Sequence, residues 1–115
     1  MSKALRVPDY LGHILEAIER IEEYVSDMDE MAFLASKLVQ DAVIRNIEII
    51  GEASNNIQRV DPVFAAQHAE IPWQVMYAMR NRVSHGYDKV DFEIIWRTIH
   101  GDLPDLYHLV RQALS

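Results

Sequence analysis

The sequence predicts an all-α fold, an antiparallel bundle of four to five helices in a single domain spanning residues 1–115. Three observations lead there. Apolar residues recur at three- and four-residue steps along most of the chain, the period of a helix with one buried face. Glycine and proline, which interrupt helices, number only 4 each in 115 residues. No run alternates apolar and polar residues as a half-buried strand does.

The first helix is expected to start near Pro8 or Asp9, both suited to a helix N-terminus, and to run to about Ser26. Leu11, Ile14, Leu15, Ile18, Ile21 and Val25 form its apolar face. Glu16, Glu19, Arg20, Glu22 and Glu23 fill the opposite, solvated face. Asp27 to Glu30 reads as a turn, with Asp29 as the next cap.

A long second helix is expected from about Met31 to Val60. Leu34, Leu38, Val39, Ala42, Val43, Ile47, Ile50, Ser54 and Ile57 make its stripe. Gly51 lies within that pattern, where it costs about 1 kcal/mol relative to Ala. Its presence is read as close packing against another helix rather than as chemistry. Asp61-Pro62 closes the helix, because a residue before proline avoids helical geometry. Residues 62–69 can hold one short helical turn.

Pro72 is expected at the first position of the next helix, with Trp73, Val75, Met76 and Met79 as its apolar bulk. The last helix runs from about Asp91 to Leu114, lined by Ile94, Ile95, Ile99, Leu103, Leu106, Leu109, Val110 and Leu114. Gly101 and Pro104 are expected to kink or divide it near Asp102. Trp73 and Trp96 suit core or dimer anchors.

Composition bounds the function. At 50% hydrophobic residues, the chain is too apolar to be disordered. It has no cysteine, hence no disulfide, thiolate metal site or cysteine nucleophile. His13, His68, His100 and His108 are scattered, so neither a metal nor another cofactor is expected. The N-terminal residues lack the apolar core of a signal peptide, and no stretch reaches the length of a membrane span. A soluble, cytoplasmic protein is expected, with no membrane partner. The net charge of −7 argues against broad coating of nucleic acid. A nuclease that gathers its cations in one groove remains compatible with it.

Such a gathering occurs at Arg80-Asn81-Arg82-Val83-Ser84-His85-Gly86-Tyr87, which reads R-x4-H-x-Y. Across residues 80–89, Arg80, Arg82 and Lys89 face Asp88 alone, a reversal of the overall sign. Arg80 and His85 are five positions apart, about 140° around a helix. They converge only if the helix ends or unwinds, and Gly86 is a suitable stop. Asn81 lies one turn from His85 and can orient its imidazole. A helix C-terminus carries partial negative charge, so an anion there must be held by arginine side chains. Arg80 holding developing charge and His85 moving a proton at a ribose 2′-hydroxyl could cleave RNA without metal. One histidine is few for two proton transfers, a lack that a dimer with two motifs in one cleft would fill. A cation and a histidine in a last helical turn also stabilise a helix by themselves, so spacing leaves both readings open. Glu48 and Glu52, one turn apart, can pair with Arg80 or Arg82 or simply face water. Arg45 and Asn46 are candidates to extend an RNA groove.

The string Met79 to Tyr87 resembles the motif of HEPN-superfamily domains, in particular the HepT-like toxins. The segment Arg45 to Ala53 is similar to their second helix, and Ile95-Trp96 through Asp102-Leu103-Pro104 to their ending. The resemblance implies an all-helical homodimer with metal-independent endoribonuclease activity, the toxin of a toxin–antitoxin pair. It implies Arg80 and His85 as the catalytic pair, with Asn81 and Arg82 in support. It further implies a nucleotidyltransferase antitoxin of the MntA type as partner, which silences the toxin by transferring AMP to Tyr87. AMP there would set phosphate charge beside Arg80 and Arg82 and obstruct RNA. The alternative is a non-catalytic helical module that docks a nucleotidyltransferase.

Overall fold

A computed structural model describes residues 6–85 and 89–115, with His85 described in its backbone only. Seven helices are present among the described residues, and no strand: α1 (Val7–Val25), α2 (Glu30–Ala35), α3 (Lys37–Val60), α4 (Pro62–Gln67), α5 (Trp73–His85), α6 (Phe92–His100) and α7 (Asp102–Leu114). The expected all-α bundle is therefore present, with the two longest helical segments each divided.

The central element is α3. Its 24 residues make a rod about 36 Å long. α1 packs on one side of it and α5 on another, α7 lies on α1, and α6 bridges α7 and α2. Ile14, Ile18 and Ile21 of α1 meet Val43, Ile47, Ile50 and Ile57 of α3 in one core, joined by Leu103 and Val110 of α7. Burial of each such side chain contributes about 1.5–3 kcal/mol.

The helix starts are set by local chemistry. Asp29 Oδ1 accepts the Ala32 N–H at 2.9 Å, the cap expected from sequence. Asp61 Oδ1 accepts the Phe64 N–H at 3.0 Å, and Pro62 opens α4 where its missing N–H costs nothing. Asp91 Oδ1 accepts from Glu93 N–H at 3.0 Å and Ile94 N–H at 3.3 Å. Pro72 stands just before α5, its carbonyl accepting the Met76 N–H at 3.1 Å. The glutamate face of α1 is exposed as expected.

The long second helix is broken at Ser36, which corrects the sequence reading. Ser36 is extended, with φ −109° and ψ 97°, and its hydroxyl accepts the Val39 N–H at 3.2 Å. It ends α2 and caps α3 at once. The break turns α2 so that Phe33 packs against Trp96 at 5.3 Å between ring centroids. Gln40 closes the elbow: its Nε2 donates to the Phe33 and Leu34 carbonyls, both at 3.0 Å, and the Phe33 carbonyl also accepts the Ser36 N–H at 3.2 Å. The same turn removes Leu34 and Leu38 from the stripe, and Leu38 is 82% exposed. Val75, Ile94 and Leu114, also expected inside, are largely exposed.

The last helix divides at Gly101, beside the expected kink. Pro104 sits in the first turn of α7, where no helical N–H partner is required. Trp73 is a core anchor: it is buried, and its Nε1 donates to the Ala65 carbonyl at 3.1 Å.

Candidate functional site

The site is built on the seam between α3 and α5. Gly51 is where the two backbones meet. A Cβ on Gly51 would lie 2.2 Å from Arg80 Cβ and 2.8 Å from the Met76 carbonyl oxygen. Absence of a side chain at residue 51 thus sets how deeply Arg80 is seated, the packing role expected of it.

Two carboxylates on α3 reach across to α5. Glu52 Oε1 lies 3.5 Å from Arg80 Nη2. Glu48 Oε2 accepts the Ser84 hydroxyl at 2.6 Å. Residues 48 and 52 are one turn apart on α3, and 84 and 80 one turn apart on α5. The two rungs fix an antiparallel register. Of the two roles weighed for the glutamates, pairing with Arg80 holds for Glu52. Glu48 instead holds Ser84, the neighbour of His85.

Arg80 is gripped from a second side. Its Nη1 donates to Asn81 Oδ1 at 2.9 Å, so the amide oxygen of Asn81 serves the guanidinium. Arg80 Nε is buried without a hydrogen-bond partner among the described residues. The guanidinium is therefore oriented by an amide and a carboxylate while its side chain stays 27% exposed. An incoming phosphate would meet a fixed cation whose charge is partly balanced by Glu52.

Helix α5 is unbroken from Arg80 to His85, so these two backbone positions lie about 140° apart around its axis. The helix thus does not end between them, one of the two ways they were expected to converge. The His85 imidazole, the stop at Gly86 and the hydroxyl of Tyr87 lie outside the described residues. Arg82 is exposed and, two positions from Arg80, faces the other side of α5. There it borders a cleft between α5 and α6.

Arg45 and Asn46 part company. Arg45 is exposed on the α3 face that carries Glu48 and Glu52, displaced toward the C-terminal end of α5. Asn46 is turned into the α1–α3 contact, 4% exposed. Its Nδ2 donates to the Ala42 carbonyl at 2.9 Å and its Oδ1 accepts from Arg20 Nη1 at 3.5 Å. One residue along a helix is a turn of about 100°, enough to separate an exposed position from a buried one. Sequence reasoning missed Ser84. The signal was its four-residue offset from Arg80, matching the offset of Glu48 from Glu52.

Among the described residues no group of three or more His, Asp or Glu lies together as a metal-ligand set. No helix of the described residues is long and apolar enough to cross a membrane.

The family model described as ribonuclease HepT-like matches residues 14–113. The chain belongs to this family. A Thermococcus cleftensis protein named Probable ribonuclease HepT is 47% identical over 98 residues, covering 85% of this chain and 86% of that protein. A Methanocaldococcus jannaschii protein named for both a gamma-glutamylcyclotransferase and an RNase is 45% identical over 97 residues. That match covers 84% of this chain but only 42% of the longer relative. A Caldanaerobacter subterraneus protein, also named for RNase activity, is 34% identical over 106 residues, 92% of each chain. No solved structure gives a significant match. The all-α architecture is consistent with this membership.

Proposed function

We propose that this endoribonuclease of the HepT-like family cleaves RNA without a metal ion, with Arg80 and His85 as its catalytic pair. In this reaction the ribose 2′-oxygen attacks the adjacent phosphorus and the 5′-oxygen leaves. The products are a 2′,3′-cyclic phosphate and a 5′-hydroxyl. An imidazole takes the 2′-hydroxyl proton, and a second donor protonates the leaving oxygen. Arg80 stabilises the charge that develops on the phosphoryl oxygens. Two chains with their motifs in one cleft supply two imidazoles, so the active form is a homodimer. The observation that carries this reading is the seating of Arg80: a guanidinium oriented by Glu52 and Asn81 at the surface of an acidic chain.

The chain acts as the toxin of a toxin–antitoxin pair in the cytoplasm. Its partner is a nucleotidyltransferase of the MntA type that transfers AMP to the Tyr87 hydroxyl. Asn81 and Arg82 support the site, and Arg45 extends the RNA path. The test is incubation of purified, unmodified protein with RNA, beside His85→Ala and Arg80→Ala. Cleavage ending in a cyclic phosphate, lost in both variants and indifferent to chelator, is expected. Equal cleavage by His85→Ala removes His85 from the mechanism. Co-expression with the transferase should add AMP mass to the wild type and none to Tyr87→Phe.

A further inference from the structure

The two arginines of the motif stand on opposite sides of α5, and the seat of Arg80 accounts for only one of them. Arg82 opens onto a cleft of about 410 Å³ between α5 and α6. Met79, Val83, Val90 and Ile94 provide its apolar wall. Among the described residues, Arg82 and Lys89 bring cations to its border. The one carboxylate among the described lining residues, Asp91, is occupied in capping α6 through two backbone N–H groups. The volume falls in the range of ligand sites, about 300–1,000 Å³. Ile94 remains 45% exposed in this cleft, an aliphatic surface available to a flat partner.

We infer that this cleft seats one nucleotide, its base against Ile94 and Met79 and its phosphate between Arg82 and Lys89. The chemistry is complementary. A base presents an apolar face and edges that need few fixed partners, and a phosphate needs cations. The described apolar lining against which the base rests is aliphatic and thioether in character. The unit recognised is a nucleoside monophosphate, which can come from the RNA strand or from a free nucleotide such as AMP. The inference rests on the reading that RNA is the substrate. It adds a second phosphate contact displaced around α5 from the one at Arg80.

The test uses a 2′-O-methylated RNA oligonucleotide, which binds but cannot be cut, with Lys89→Glu and Ile94→Glu. Both positions are exposed. Residue 94 is also the third of α6 after its Asp91 cap, where a carboxylate favours the helix, so both variants should fold. Each variant is expected to weaken binding about tenfold or more, and Lys89→Glu to flatten the salt dependence by about 0.7 in log–log slope. Wild-type affinity and slope in both variants, or no binding by the wild type, overturns the inference. Titration with free AMP separates the sources. Saturable shifts of the Ile94 and Ile95 methyl signals, with the Ile95 shift lost in Ile94→Glu, show that one free nucleotide suffices. Their absence beside variant-sensitive oligonucleotide binding assigns the cleft to the strand. If the wild type fails to cut RNA but Lys89→Glu loses binding, the cleft stands and the reaction falls. Cleavage with binding unchanged in both variants gives the reverse.

Discussion

Gly51 of α3 and Arg80 of α5 are packed so closely that a methyl group on the first would stand 2.2 Å from the Cβ of the second. The position of the guanidinium is thus set by a residue that has no side chain.

Replacing Gly51 by Ala should therefore destabilise the protein by about 1–3 kcal/mol, because the new methyl must push α5 away. Gly12 of α1 is the control. Nothing lies within 4 Å of a Cβ built there, so Gly12→Ala should stabilise by about 0.5–1 kcal/mol. Chemical denaturation of both variants measures the pair. Stabilisation at both positions would contradict the close crossing.

Glu52→Gln removes the charge 3.5 Å from Arg80 while keeping the shape. The pair is largely solvent-exposed on the Glu52 side, so stability should change by less than about 1 kcal/mol. Turnover of RNA should fall about tenfold, since the guanidinium loses one of its two orienting groups. KM should not rise, because a less balanced Arg80 still attracts phosphate. An unchanged kcat would assign Glu52 no positioning role.

The Glu48–Ser84 hydrogen bond, at 2.6 Å, should be visible in a double-mutant cycle. Glu48→Gln, Ser84→Ala and the double variant are expected to show a coupling of about 1 kcal/mol in unfolding free energy. Coupling near zero would mean that the two residues act separately and that the register of α5 is set elsewhere.

Tyr107 of α7 donates its hydroxyl to Glu19 Oε2 of α1 at 2.6 Å. The hydrogen bond to Glu19, with its negative charge, holds the phenol's pKa above its ordinary value of 10.0. A raised folded pKa means that this link is fully present below pH 10.0, the value in the unfolded chain, and fades as pH rises through the folded value. Spectrophotometric titration should show one tyrosine ionising at lower pH in Glu19→Gln than in the wild type. Tyr107→Phe should lose part of the alkaline dependence of stability.

Much of the architecture was legible because it is local. Asp29 and Asp61 cap the helices that follow them, and the period of Ile14, Ile18 and Ile21 is visible in any window of the chain. Gly51 could be read as a close approach because glycine inside a helix costs stability and needs a reason. The break at Ser36 is not legible because a serine interrupts no apolar pattern, and the contact that goes with it, Phe33 on Trp96, joins residues 63 positions apart. Leu38 reads as core only if one helix runs through that break. Ser84 and Glu48 are 36 positions apart, and only the register of two packed helices joins them. Helical spacing pairs Asn81 with the imidazole, yet its oxygen receives the adjacent guanidinium of Arg80. Spacing alone does not rank two partners that are both within reach.

The division of Arg80 and Arg82 between opposite sides of α5 has a consequence for the shape of the substrate. A strand that touches both must pass around the end of a rod about 10 Å across. A stiff double helix does not make that bend, whereas a hairpin loop or an unpaired stretch follows it at little cost. Discrimination between transcripts would then come from how readily each one curls, and hardly at all from the letters it spells.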